Sequence, residues 1–299
     1  MALHVWFRLV LLSILWGGSF FFAKIAVGEL GPLTVVFARV ALAALALDLA
    51  LAAVGNGLFR ARAPWRTYLT MGLLNNVVPF ALIFWGQTQI PSGLASILNA
   101  TTPLFTLLVA HHLTRDETID RIKIAALLAG LAGVAVLVGP DLLLADAGLW
   151  GQIACLGAAL SYAFAGVYGR RFRGMGIAPL EAAAGQVTAS TALILPIMLF
   201  VEQPWALPTM PSPEVLAALA GLALLSTALA YVLYFRILAL AGATNLLLVT
   251  FLIPVTALLL GSIVLGEALA WRQLAGMALI GLGLVLIDGR IGRLRRPAE

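Results

Sequence analysis

The stretch NATTPLFTLL, residues 99–108, decides how the rest of the chain is read. It closes an apolar run that opens as IPSGLASIL at residue 90. Within about four helical turns that run holds Ser92, Ser96, Asn99, Thr101, Thr102 and Pro103. Sliding the sequence against itself by 151 residues lays the stretch over TFLIPVTALL, residues 250–259, with Pro103 on Pro254. At the same offset Asp116 meets Glu267, Arg121 meets Arg272, Gly130 meets Gly281, Phe84 meets Phe235, Phe80 meets Tyr231, and Asn75-Asn76 meet Ser226-Thr227. A second offset, 147, lays GPL at 31–33 over APL at 178–180 and Arg39 over Gln186. Each pair is weak alone. Prolines and turn charges that match without a gap across three apolar runs indicate a duplicated chain.

Composition names the solvent of both copies. With 62% apolar and only 10% charged residues, and a mean hydropathy of +1.05, the chain falls outside the range of water-soluble domains. Its apolar runs have the length that a helix rising about 1.5 Å per residue needs to cross some 30 Å of hydrocarbon. They lack the alternation of a membrane β-barrel. The breaks predict ten spans, at 5–27, 33–54, 67–87, 92–112, 121–139, 150–169, 178–200, 214–237, 243–265 and 270–288. The first has Arg8 ahead of a leucine-rich stretch but no A-x-A end, so it is read as a span rather than a cleaved signal peptide.

Basic residues set the orientation. If the amino terminus is cytoplasmic, 15 Lys and Arg fall on the inner side, among them Arg60, Arg62, Arg66, Arg170, Arg171, Arg173 and Arg290, and only Lys24 and Arg272 on the outer. The positive-inside rule then places both termini in the cytoplasm of an inner, plasma-type membrane. A sequence pI near 9.9 is accounted for by these short loops and anionic lipid, not by nucleic acid.

Five spans per copy is an odd number, so the second copy must enter the membrane from the opposite side. The expected fold is an all-α integral membrane protein, its ten transmembrane helices arranged as two inverted five-helix repeats around a central cavity. Residues 1–140 form the first repeat, 148–290 the second, and 291–299 a basic cytoplasmic tail. Inverted repeats are the architecture from which secondary transporters build two alternative openings around one site.

A proline inside a span frees a backbone carbonyl, and polar backbone is tolerated in lipid only where protein or water satisfies it. The fourth span therefore faces the interior, and Pro79, Pro103 and Pro254 are the expected hinge or gating positions. Candidate substrate contacts are Trp16 and Ser19 in span one, Arg39 in span two, Asn76 and Phe80 in span three, and Ser96, Asn99 and Thr101 in span four. The second copy adds Tyr162, Thr227, Tyr231, Asn245 and Thr250. Asn75, Ser226 and Tyr234 lie at matching depths. For the Ser, Thr and Asn residues, hydrogen bonding between packed helices stands as the competing role, and for the aromatics, core packing. Arg39 lies about 10 Å deep, where an unpaired cation costs several kcal/mol. It either pairs with backbone carbonyls or holds a substrate carboxylate. Asp48, near the inner end of span two, is expected to pair with Arg8 or a loop arginine. The glycines, such as Gly72, Gly130, Gly133, Gly276 and Gly283, are expected to let helices approach closely. Cys155 has no thiol partner in the chain and is read as a buried, inert thiol.

LWGGSFFFAKIAVGELGPLTVVFARVALA at 15–43 and LGEALAWRQLAGMALIGLGLVLI at 265–287 together resemble the EamA family of the drug/metabolite transporter superfamily. The likeness spans essentially the whole chain and extends to the family's YddG-like aromatic amino-acid exporters. It departs from the family pattern at Asp116-Glu117 and at Gln186, which stands where a second arginine would be. The resemblance implies a cavity lined by spans other than the fifth and tenth, and export of small metabolites, often amino acids.

Several classes are disfavoured by what the chain lacks. His111-His112 are adjacent and point about 100° apart on a helix, and there is no HExxH, GxSxG or phosphate-binding loop. Metal, cofactor and ATP chemistry are not expected, and the chain is not read as an enzyme. No Asp or Glu falls mid-span, which disfavours a proton relay. One membrane arginine is too little for a phosphorylated solute. The expected partner is a small neutral or zwitterionic solute, most simply an apolar or aromatic amino acid, carried by alternating access. Export of other metabolites or drugs is the alternative, a non-transporting scaffold the different-class one, and homo-oligomerisation is left open.

Overall fold

A computed structural model describes residues 3–55, 64–90, 92–113, 121–138, 148–206, 210–247, 249–250, 252–256, 259 and 271–288. Arg60, Arg62, Asp116, Glu267 and the basic tail at 291–299 lie outside the described residues. The helices are α1 (Leu3–Ala26), α2 (Pro32–Ala53), α3 (Trp65–Gln89), α4 (Ser92–Asn99), α5 (Thr102–Leu113), α6 (Arg121–Val138), α7 (Leu149–Gly174), α8 (Pro179–Val201), α9 (Pro213–Gly242) and α10 (Trp271–Asp288). A helical stretch follows α9 at 243–247 and resumes at 252–256, after a non-helical Gly242 with φ 79°. Among the described residues there is no strand, and α1, α2, α3, α7, α8 and α9 are long and apolar enough to cross a membrane.

Starts and stops follow local chemistry. Proline occupies the first turn of α2, α8 and α9, where its missing N–H costs nothing. Ser212 caps α9, its hydroxyl accepting from the Val215 N–H at 3.3 Å. The predicted span 92–112 is not one helix but two, α4 and α5, broken at Ala100-Thr101. Pro103 supplies the reason: it cannot donate to the Asn99 carbonyl, and Thr102 Oγ1 fills that acceptor at 2.6 Å.

Two helices widen to a π-type ladder, α3 over Leu73–Val77 and α9 over Gly221–Leu229. Such bulges arise where the i→i−4 ladder is interrupted. In α3 the interruption is Pro79, which leaves the Asn75 carbonyl free to accept from the Tyr231 hydroxyl at 3.2 Å. In α9 the Thr227 hydroxyl takes the Leu222 carbonyl, five residues back, at 2.7 Å.

Packing places these bulges against the other half of the chain. α2 lies along α8 and on the α9 bulge, while α8 lies along α3 and its bulge. α7 packs on α3 and α5. α6 and α10 pair with each other through glycine: a Cβ on Gly133 would come within 2.8 Å of the Gly276 carbonyl, and one on Gly283 within 2.8 Å of the Ala126 carbonyl. Large apolar side chains such as Leu42, Leu45 and Leu49 of α2 are exposed, while Val40, Ala43 and Leu47 of the same helix are buried. That is the pattern of a helix with lipid on one side and protein on the other.

One end of the bundle is tied by carboxylates. Glu202, just past α8, accepts the Leu33 N–H at 2.8 Å, the Thr34 N–H at 2.7 Å and the Thr34 hydroxyl at 2.8 Å, closing the amino terminus of α2. A Cβ on Gly31 would run into that carboxylate and push it off the α2 amino terminus. In return Glu29, in the α1–α2 loop, accepts the Ser212 N–H at 2.8 Å. Its carboxyl is held below its ordinary range chiefly by that backbone hydrogen bond.

Candidate functional site

The bulges, the broken α4–α5 segment and the stretch after α9 converge on a central cleft of about 640 Å³, its mouth included. α1 contributes Trp16, Ser19 and Phe20; α2 contributes Arg39; α3 contributes Asn75, Phe80, Ile83, Phe84 and Gln87. Asn99, Thr102, Tyr162, Tyr231, Tyr234, Thr250 and Ile253 complete the wall. None of these comes from α6 or α10, and none carries a carboxylate.

Arg39 is the charged member of the wall. Its side chain is buried, and its Nε donates to Thr227 Oγ1 at 2.7 Å while Nη2 donates to the Ser226 carbonyl at 3.2 Å. Both acceptors belong to the α9 bulge. The guanidinium lies 3.8 Å above the Phe80 ring centroid and 5.8 Å from that of Phe84, whose rings are stacked at 6.0 Å. A desolvated cation over a ring gains about 2 kcal/mol. Among the described residues no acceptor meets Nη1, so the cation is positioned by neutral groups and not neutralised.

Aromatic rings form another part of the wall. Trp16 meets Tyr231 edge-on at 6.5 Å and Tyr234 at 5.9 Å, and the two tyrosines are 5.9 Å apart. Tyr231 is fixed from behind by α3: its hydroxyl donates to Asn76 Oδ1 and to the Asn75 carbonyl. Asn76 Nδ2 in turn donates to Ser190 Oγ at 2.7 Å, and Asn75 Nδ2 to Gln186 Oε1 at 3.1 Å.

Of the predicted contacts, Trp16, Ser19, Arg39, Phe80, Asn99, Tyr162, Tyr231 and Thr250 line the cleft together. Asn76 and Thr227 stand behind it, holding Tyr231 and Arg39. Ser96 is buried away from the lining. Thr101 donates to the Leu98 carbonyl at 2.6 Å and Asn245 to the Ala241 carbonyl at 2.9 Å, so both serve their own helical turns. Pro79 and Pro103 each follow a freed carbonyl, and Pro254 is buried in the 252–256 turn. Asp48 accepts from Thr188 Oγ1 at 3.1 Å, and among the described residues no arginine pairs with it. Cys155 is buried and unpaired as a thiol.

Sequence reasoning passed over Phe84 and Gln87. They stand four and seven residues after Phe80, so the helical period that puts Phe80 on the wall puts them there too. Among the described residues no group of three or more His, Cys, Asp or Glu is placed to hold a metal.

Comparison with known proteins agrees with this geometry. The sequence profile of the EamA-like transporter family matches twice, at residues 5–139 and 149–288. An uncharacterized inner membrane transporter, YedA, of Escherichia coli (strain K12) is 29% identical over 290 residues, covering 96% of this chain and 91% of that one. A probable amino-acid metabolite efflux pump of Salmonella typhimurium is 26% identical over 291 residues, covering 94% and 93%. A solved crystal structure superposes with a TM-score of 0.74 at 22% identity, over 93% of this chain and 95% of the other, which speaks for the fold alone. The chain belongs to the EamA-like transporter family and is a multi-pass membrane transporter of small metabolites.

Proposed function

We propose that the protein exports neutral or zwitterionic amino acids with apolar or aromatic side chains, by alternating access at this cleft. The observation that carries the reading is Arg39: a buried guanidinium, aligned by Thr227 and the Ser226 carbonyl, with Nη1 unpartnered among the described residues and aromatic rings around it. A carboxylate accepts from such a fork, and Trp16, Phe80, Tyr162, Tyr231 and Tyr234 offer an apolar side chain its surroundings. A phosphorylated solute would bring more negative charge than one guanidinium answers. Among the described residues the lining has no carboxylate to relay a proton, which supports a carrier that needs no imposed pH gradient. Outward direction rests on the Salmonella relative's name.

Two inverted five-helix halves, ten spans in all with both termini cytoplasmic, are the architecture this reading uses. The double family match supports the duplication. So does the position of the bulges: shifting 73–77 by 151 gives 224–228, inside Gly221–Leu229. Rocking of the halves would use the breaks at Pro103 and Gly242 as joints, with Pro79 and Pro254 beside them.

Counterflow in proteoliposomes with a panel of labelled amino acids tests the proposal. Uptake of apolar or aromatic amino acids is expected without a pH gradient, and Tyr231→Leu or Asn99→Leu should reduce it at unchanged membrane expression. A panel with no amino acid carried would refute the reading.

A further inference from the structure

We infer that Gln87 receives the amine of the carried solute, in the same cleft as the carboxylate grip of Arg39. The inference deepens the amino-acid reading above and rests on it. Gln87 is 0% exposed and stands in the cleft wall. Its amide orientation is fixed, because Nε2 donates to the Phe20 carbonyl at 3.2 Å, and a carbonyl only accepts. That leaves Oε1 as an acceptor, and this buried oxygen has no hydrogen-bond partner. Buried polar atoms are rarely left so, and each exception calls for a reason.

The neighbouring groups do not fill it. Lys24 Nζ goes to the main-chain carbonyl of Gln87 at 2.8 Å, not to its side chain. Arg39 is held on the α9 bulge by Thr227 and Ser226. Ser19, next to Phe20 in sequence, lines the same cleft. An unmet acceptor and an arginine thus line the same cleft. A solute with a donor at one place and an anion at another complements both. A free amino acid has that pair of charges and no net charge, which suits a cleft without a carboxylate. The amine reaches Oε1 as the cleft adjusts around the solute, trading a buried unmet acceptor for a charge-assisted bond.

The test uses the full chain in proteoliposomes and compares each amino acid with its des-amino analogue. Labelled phenylalanine is competed by phenylalanine or 3-phenylpropionate, and labelled leucine by leucine or 4-methylpentanoate. Wild type should prefer the amine-bearing competitor by about tenfold or more, since a site built around a donor rejects the solute that lacks it. Gln87→Met should bring the two competitors to within about threefold. Gln87→Glu keeps acceptor oxygens while losing the Phe20 tie, and should retain the preference. If Gln87→Met weakens both competitors equally, or keeps the wild-type ratio, Gln87 is only a tie between α1 and α3 and the inference falls. If wild type carries neither amino acid nor any other of the panel, the amino-acid reading itself falls, a distinct result.

Discussion

Two contacts in this molecule have the same shape and different chemistry. α2 lies on the π bulge of α9 and puts Arg39 into it; α8 lies on the π bulge of α3 and puts Gln186 into it. In each, the bulge offers a main-chain carbonyl that a regular helix would have used internally, Ser226 on α9 and Asn75 on α3, with a polar side chain beside it, the Thr227 hydroxyl or the Asn75 side-chain amide. On the α9 side the partner is a cation with donors to spare beside the cleft. On the α3 side it is a neutral amide, 0% exposed, whose Nε2 meets nothing. On the proposed reading, the same scaffold makes one contact a binding element and the other a support for Tyr231. One exchanged side chain is enough, because a guanidinium has five donors and a reach that an amide lacks.

The largest effect is expected from writing the α2 chemistry onto α8. Gln186→Arg would bury a cation that nothing on α3 neutralises, at a cost of several kcal/mol. Loss of the monodisperse peak in detergent size-exclusion chromatography checks it; a well-behaved variant would show that the two contacts are interchangeable. The converse change, Arg39→Gln, should fold yet reduce amino-acid counterflow by about tenfold to a hundredfold, a loss of roughly 1.4 to 2.8 kcal/mol in carboxylate binding. Wild-type flux there would reduce Arg39 to a structural pin and erase the difference between the two contacts.

Removing only the alignment should do less. Thr227→Val takes away the acceptor of the Arg39 Nε and frees the Leu222 carbonyl. About 1–3 kcal/mol is at stake for an orphaned buried donor, read as a raised apparent KM and a lower melting temperature, with Thr227→Ser restoring both. The smallest effect belongs to the carboxylate ties at the bundle end. Glu29 sits below its ordinary value of 4.5, so it favours the folded form at neutral pH. That contribution fades as pH falls from the ordinary carboxylate range through the lower folded value. Because Glu29 is fully exposed, Glu29→Gln should only slightly flatten the acid limb of a thermal-melting series, and a steeper limb would contradict the assignment.

Tyr231, Trp16 and Arg39 could be picked from the chain because each is chemically odd for its depth in a span, and Phe80 because it stands beside Asn75, Asn76 and Pro79 at the position that matches Tyr231. A lone cation, or a ring with a polar tip far from the interface, stands out against alanine and leucine. Gln87 does not stand out, since it lies toward the end of its predicted span among Trp85, Thr88 and Gln89 and reads as interfacial. Its importance comes from the Phe20 carbonyl, 67 residues away. For Asn76 and Thr227 the sequence left two roles open, substrate contact and hydrogen bonding between helices, and the structure shows the second. Whether such a side chain faces a cleft or the residue that does so turns on one helical step of about 100°.

Membrane residence, the apolar runs and the helix break at Pro103 were all carried by local composition. They depend on hydrophobicity per residue and on which backbone donors exist, quantities that survive without knowing any neighbour. The π bulges, the reciprocal seating of α2 on α9 and α8 on α3, and the sorting of polar residues into wall and backing belong to the tertiary structure. Each is settled by which carbonyl a distant side chain can reach, and that is fixed only when the helices are packed.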